Sequence, residues 1–136
     1  MSESNKKLVR KVFEELWNRA ALSLADEICR EDYLVHMANS EEAIRGVEAF
    51  KQFVALCQAL HPSLQFTVED QIAEGDKVVT RWTARSQNIG AEAALTGISI
   101  HRLADGRLAE AWDNWDAVGA LQDRGPELFD KIGLSI

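Results

Sequence analysis

At 136 residues and 46% apolar composition, with no low-complexity run, the chain is long enough for one domain over 1–136 with a real core. A net charge of −7, with acids and bases interspersed, disfavours nucleic acid and anionic membrane as partners. No apolar run approaches the roughly 18 residues of a membrane helix, and Lys6, Arg10 and Glu14 interrupt any signal-peptide pattern, which predicts a cytoplasmic protein.

Taken in chain order, Leu8, Val9, Val12, Phe13, Leu16 and Trp17 recur at the spacing of one helix face, with Ser2 or Ser4 as cap. A shorter helix follows from Ser23, whose hydroxyl caps Leu24, Ala25 and Ile28. The stretch from Glu31 to Asn39 reads as irregular. A third helix starts near Gly46, carries Val47, Phe50, Val54, Cys57 and Leu60 inward, and ends at His61-Pro62. Cys29 and Cys57 fall on these helices without metal-like spacing, as buried free thiols.

From Leu64 the period changes to two. Leu64, Phe66 and Val68 alternate with Gln65, Thr67 and Glu69, the pattern of a half-buried strand. Glu74-Gly75-Asp76 is a turn, and Lys77–Gln87 is the next strand. Two apolar runs, Ile98–Leu103 and Leu108–Trp115, then flank Asp105-Gly106, a strong hairpin signal. Asp116 caps a final turn through Leu121, and Pro126 opens a short last helix ended by Gly133. Helices followed by hairpin-linked strands argue for an α+β domain with helices on one face of an antiparallel sheet.

The hairpin decides where Asp113 points. A two-residue Asp-Gly turn places Asp113 beside Ile98 and Ile100. A three-residue loop, Ala104-Asp105-Gly106, shifts the pairing by one and flips every side chain. Gly97, Ser99, His101, Ala109, Ala111, Asp113 and Trp115 then share one face; Ile98, Ile100, Leu108 and Trp112 share the other. The second register is favoured, because Gly, Ser and Ala leave space beside the carboxylate, and space beside a carboxylate makes a site. No phosphate loop, Cys-x-x-Cys pair or His-Glu-x-x-His motif occurs, so the residues point to no cofactor and no metal.

Several motifs, in order, resemble the SnoaL-like polyketide cyclases of the nuclear transport factor 2-like superfamily. They are Val12-Phe13-Glu14-Glu15-Leu16-Trp17-Asn18, Asp32-Tyr33-Leu34-Val35-His36, Gly46-Val47-Glu48-Ala49-Phe50, Val68 to Val79, Arg81-Trp82-Thr83, Gly97 to Leu103, and Asp105-Gly106-Arg107 running to Trp112-Asp113. The resemblance covers the chain to about Gly125. It implies a cone-shaped α+β barrel, with the N-terminal helices packed in a strongly curved, mostly antiparallel sheet. It also implies a homodimer through the outer sheet face, where Trp82, Ile98, Ile100 and Trp112 would supply the apolar patch. The related cyclases use an Asp on the last long strand as acid/base, and Asp113 falls on it. Their histidine on the preceding strand is Ser99 here, with His101 on the same face to take its place. Gln87 to Ala91 connects two strands more tightly than is usual in the family.

Asp113 is therefore the candidate base, since an apolar cavity disfavours its charged form. His101, Arg81 and His36 are candidate donors to an enolate oxygen. Arg81 shares a strand face with Val79 and Thr83, and pairs with Asp113 or binds an anionic group if that face is concave. Trp17, Tyr33, Phe50, Phe53, Thr83, Ser99 and Trp115 are candidates for the substrate wall. The reading is a cofactor-free cyclase, isomerase or lyase acting on a small apolar carbonyl compound. The rivals are a non-catalytic ligand-binding module and a dimerisation domain with a vestigial cavity. The resemblance also raises epoxide hydrolysis, which in this superfamily uses a carboxylate two residues after the strand arginine; that position is Thr83 here, which counts against it.

Overall fold

The repeat Leu8, Val9, Val12, Phe13, Leu16, Trp17 folds as α1 (Ser2–Lys11) running directly into a π-helical segment, Val12–Trp17. The computed structural model describes residues 2–38, 40–86 and 94–116. Val9, Val12, Phe13 and Leu16 are buried along one stripe, as the spacing requires. The wider turn at 12–17 delivers Asn18 to a strand edge: its side-chain amide donates to the Phe66 carbonyl at 2.8 Å and accepts from the Phe66 N–H at 2.7 Å.

Helix α2 (Leu24–Ile28) is short. Ser23 makes no side-chain capping bond, contrary to expectation, because its backbone is already helical (φ −63°, ψ −23°). A capping hydroxyl needs the extended conformation. Strand β1 (Cys29–Met37) replaces the expected irregular stretch and takes Cys29 off the helix. Tyr33 and Val35 alternate inward there, and Tyr33 stacks edge-on against Phe50 at 5.1 Å. Burial pushes the Cys29 thiol up to about 12, and both cysteines are free. A two-residue strand, β2 (Ile44–Arg45), leads into α3 (Val47–Leu60), entered through Gly46 at φ +92°. That backbone conformation suits glycine alone among common residues.

The remaining strands are β3 (Gln65–Glu74), β4 (Lys77–Arg85), β5 (Leu95–Ala104) and β6 (Arg107–Trp115). With β1 and β2 they form one curved six-stranded sheet in the order β2-β1-β6-β5-β4-β3, parallel only at β1–β6. The helices pack on its inner face, where Phe13 meets Trp82 at 6.5 Å and His101 at 6.0 Å between ring centres. The fold is the expected α+β class.

The hairpin combines both alternatives. Its loop is the two-residue turn, with Asp105 at φ +53° and Gly106 at φ +75°, and Ala104 pairs with Arg107. These angles fit the turn whose twist matches flanking strands. Leu103 then pairs with Leu108, but Arg102 pairs with Glu110, so Ala109 is an extra residue in β6. This bulge supplies the one-residue shift that a longer loop would have supplied. Leu108 consequently faces the core and is fully buried, where the outer face was expected.

Candidate active site

Three cross-strand rows make the inner face of β4, β5 and β6. Trp82, Gly97 and Trp115 form the first row, Thr80, Ser99 and Asp113 the second, and Val78, His101 and Ala111 the third, each β5 residue paired on both sides. The middle row is polar in an otherwise apolar wall and continues to Gln71 on β3, whose amide donates to Thr80 Oγ1 at 3.2 Å. Ser99, 1% exposed, donates to Asp113 Oδ1 at 2.6 Å and accepts from Trp82 Nε1 at 2.9 Å. Asp113 itself is only partly buried, so one end of the row reaches toward accessible space.

Two further groups feel the Asp113 charge. His101 is 3% exposed, and burial lowers its pKa below 6.5 while the Asp113 charge pulls the other way. The ring is therefore neutral near pH 7, and its Nδ1 is buried without a partner among the described residues. Tyr33 is held well above its ordinary value, first by burial and then by the charges of Cys29 and Asp113. It stays a phenol, able to donate. Trp17, Phe53 and Phe66 continue the aromatic wall, with Trp17 5.2 Å from Phe66 and 6.1 Å from Phe53.

The structure thus brings together Asp113, Ser99, His101, Tyr33 and Trp115, with Phe50 behind Tyr33 and Trp17 beside Phe53. It places three expected residues elsewhere. Arg81 and Thr83 point to the convex face, because Val78, Thr80, Trp82 and Ala84 are the inward set of β4. Arg81 is exposed and does not reach Asp113. His36 is also convex: its Nε2 lies 2.6 Å from Glu110 Oε2, and its ring stacks on Trp112 at 5.4 Å. Neither His36 nor Arg81 can serve an oxyanion on the inner face. Trp82 was assigned to the outer patch and instead lies inside, 5% exposed. Plain alternation along Lys77–Arg85 carried that signal, since Lys77, Arg81 and Arg85 share the opposite parity.

Among the described residues no group of three or more His, Cys, Asp or Glu is arranged to hold a metal ion. A hollow of about 370 Å³ at the far end of β1 is crossed by Arg30, Asp32, Arg102 and Glu110. It opens where β1 slips against β6, between the Cys29–Leu108 and Leu34–Glu110 pairs. Its arginines are already engaged, Arg30 by Asp32 and Asp105 and Arg102 by Glu110.

The family model of the SnoaL-like polyketide cyclases matches residues 7–124. The chain belongs to that family. Among solved structures, a protein from Jannaschia sp. CCS1 assigned as a SnoaL-like polyketide cyclase superposes with TM-score 0.78 at 21% identity, over 89% of this chain and 91% of its own. IdmH from Streptomyces antibioticus, assigned as a polyketide cyclase, gives 0.75 at 25% identity, over 89% and 98%. A protein from Kribbella flavida DSM 17836 assigned as a ketosteroid isomerase gives 0.71 at 22%, over 85% and 79%. No curated relative matches the chain in sequence. For a SnoaL-like protein the connection at 87–91 and the segment after Asp116 are of interest, but both lie outside the described residues.

Proposed function

We propose that this SnoaL-like protein is a cofactor-independent enzyme that removes a proton from carbon next to a carbonyl in a small apolar substrate, with Asp113 as the base. One observation carries the reading: a carboxylate on the inner face, held by the Ser99 hydroxyl, whose oxygen in turn accepts from the Trp82 indole. The Asp113 carboxylate takes the proton, and the C–H electron pair moves to the carbonyl oxygen as an enolate. That oxygen needs a donor in a water-poor site. His101 is the one of the three expected donors that shares the face, and a neutral imidazole can donate from whichever nitrogen carries its proton. In a cyclisation the enolate carbon then attacks a second carbonyl, whose oxygen receives the C=O electron pair and takes the proton back from the Asp113 acid. In an isomerisation the enolate is reprotonated at another carbon by that acid. The aromatic wall favours an apolar, polyketide-like ketone over a charged substrate. The working unit is a homodimer joined through the convex sheet face.

The test uses 2-tetralone as probe and follows hydrogen–deuterium exchange at its acidic carbon by NMR. Asp113→Asn keeps the shape and accepts the Ser99 bond but cannot take the proton. Exchange should fall about a hundredfold or more with the melting temperature nearly unchanged. Equal exchange by the two proteins overturns the assignment.

A further inference from the structure

We propose that Trp82 is a positioning residue of this site: its indole N–H occupies the acceptor side of Ser99 Oγ and so directs the one hydroxyl proton onto Asp113. The inference rests on the reading of Asp113 as the base. It starts from proton bookkeeping. A serine hydroxyl has one proton and rotates freely, so by itself it has no preferred recipient. An indole nitrogen donates and never accepts. With Trp82 Nε1 at 2.9 Å and Asp113 Oδ1 at 2.6 Å, the arrangement has one consistent assignment: Trp82 to Ser99 to Asp113. Tyrosine or histidine at position 82 would leave the direction ambiguous, because either can also accept. Asp113 is thereby held in one orientation relative to the sheet, with one oxygen engaged.

Two independent features keep the indole in place. Trp82 lies between Phe66, 5.2 Å away edge-on, and Phe13, at 6.5 Å, so the ring has no room to swing. Gly97 stands directly opposite Trp82 in the β4–β5 ladder. A Cβ there would overlap Trp82 Cζ2 and stand 2.6 Å from both Trp82 Cε2 and the Asn114 carbonyl oxygen. Glycine at 97 is what lets the ring lie across β5 and reach Ser99, although nothing in the local strand pattern calls for glycine. Gly97, Trp82 and Ser99 thus act in series on one carboxylate.

The experiment labels the aspartate carboxyl carbons with carbon-13 and identifies Asp113 by the signal missing in Asp113→Asn. At fixed neutral pH, Ser99→Ala and Trp82→Phe should both displace the Asp113 signal in the same direction, Trp82→Phe by less. An Asp113 signal that moves in Ser99→Ala but stays in Trp82→Phe overturns the proposal. The indole proton of Trp82 should move upfield in Ser99→Ala, and an unmoved indole signal also overturns it; this arm decides the matter should Trp82→Phe not fold. With 2-tetralone, Trp82→Phe should lower kcat about tenfold at nearly constant KM, a split that general loosening of the core would not give. If Asp113→Asn leaves exchange intact, the base assignment fails, while the carboxyl and indole signals still decide whether Trp82 directs Ser99.

Discussion

Ser99 and Asp113 sit directly opposite each other on β5 and β6, the hydroxyl donating to the carboxylate across 2.6 Å. Six residues separate Asp113 from the Gly106 turn, and the pairing exists only because one residue between them, Ala109, is left over from the ladder. A side chain that serves the site is therefore placed by a backbone irregularity some distance away.

Deleting Ala109 tests this. With the extra residue gone, Leu103–Leu108 is followed directly by Arg102–Glu110, so the ladder becomes regular and Asp113 stays opposite Ser99 on the inner face. Denaturant unfolding should show a change of no more than about 2 kcal/mol. Ala109→Gly keeps the count and should cost no more than about 1 kcal/mol. A loss of several kcal/mol on deletion would mean that Ala109 is not the residue the ladder leaves out.

Stability should depend on pH through His101. Burial lowers its pKa below 6.5 in the folded protein, so between the folded value and 6.5 the unfolded chain binds more protons. Stability therefore rises with pH through that window and is lost as pH falls below about 6.5. Glu110 is held low mainly by its bond to His36, so its contribution is lost only on going below its ordinary 4.5. Melting temperatures measured between pH of about 7.5 and 5.5 isolate the histidine. His101→Phe, which keeps a ring against Phe13, should flatten the slope; an unchanged slope assigns it to other groups.

The convex face should mediate assembly. Ile72, Val79, Ile100 and Trp112 pair in sequence across β3, β4, β5 and β6, and His36 extends the row on β1. Ile72 is 64% and Ile98 50% exposed, large apolar side chains of the kind that mark an interface. Sedimentation at tens of micromolar should report a dimer for the wild-type chain and a monomer for Ile98→Asp. A wild-type monomer at that concentration would count against the convex face as an interface.

The amino-acid order alone determined the α+β class, the first helix, the start of α3 at Gly46 and the two strands flanking Asp105-Gly106, because each is written in local periodicity or turn chemistry. Asp113 stood out as a carboxylate among small and aromatic residues. What tertiary structure decided was everything that depends on pairing between strands. Cys29–Met37 became a strand because Tyr33 and Val35 bury against the helices and Val35 pairs with Ala111 of β6, more than seventy residues away. Arg81, Thr83 and His36 carry side chains suited to chemistry, but strand parity puts them on the convex face, where solvent meets Arg81 and Glu110 and Trp112 meet His36. Ala109 shows the reason most clearly. Nothing in an alanine announces a bulge; the ladder skips it because both Leu103–Leu108 packing at the turn and Ser99–Asp113 pairing further along are satisfied only when one residue is left out.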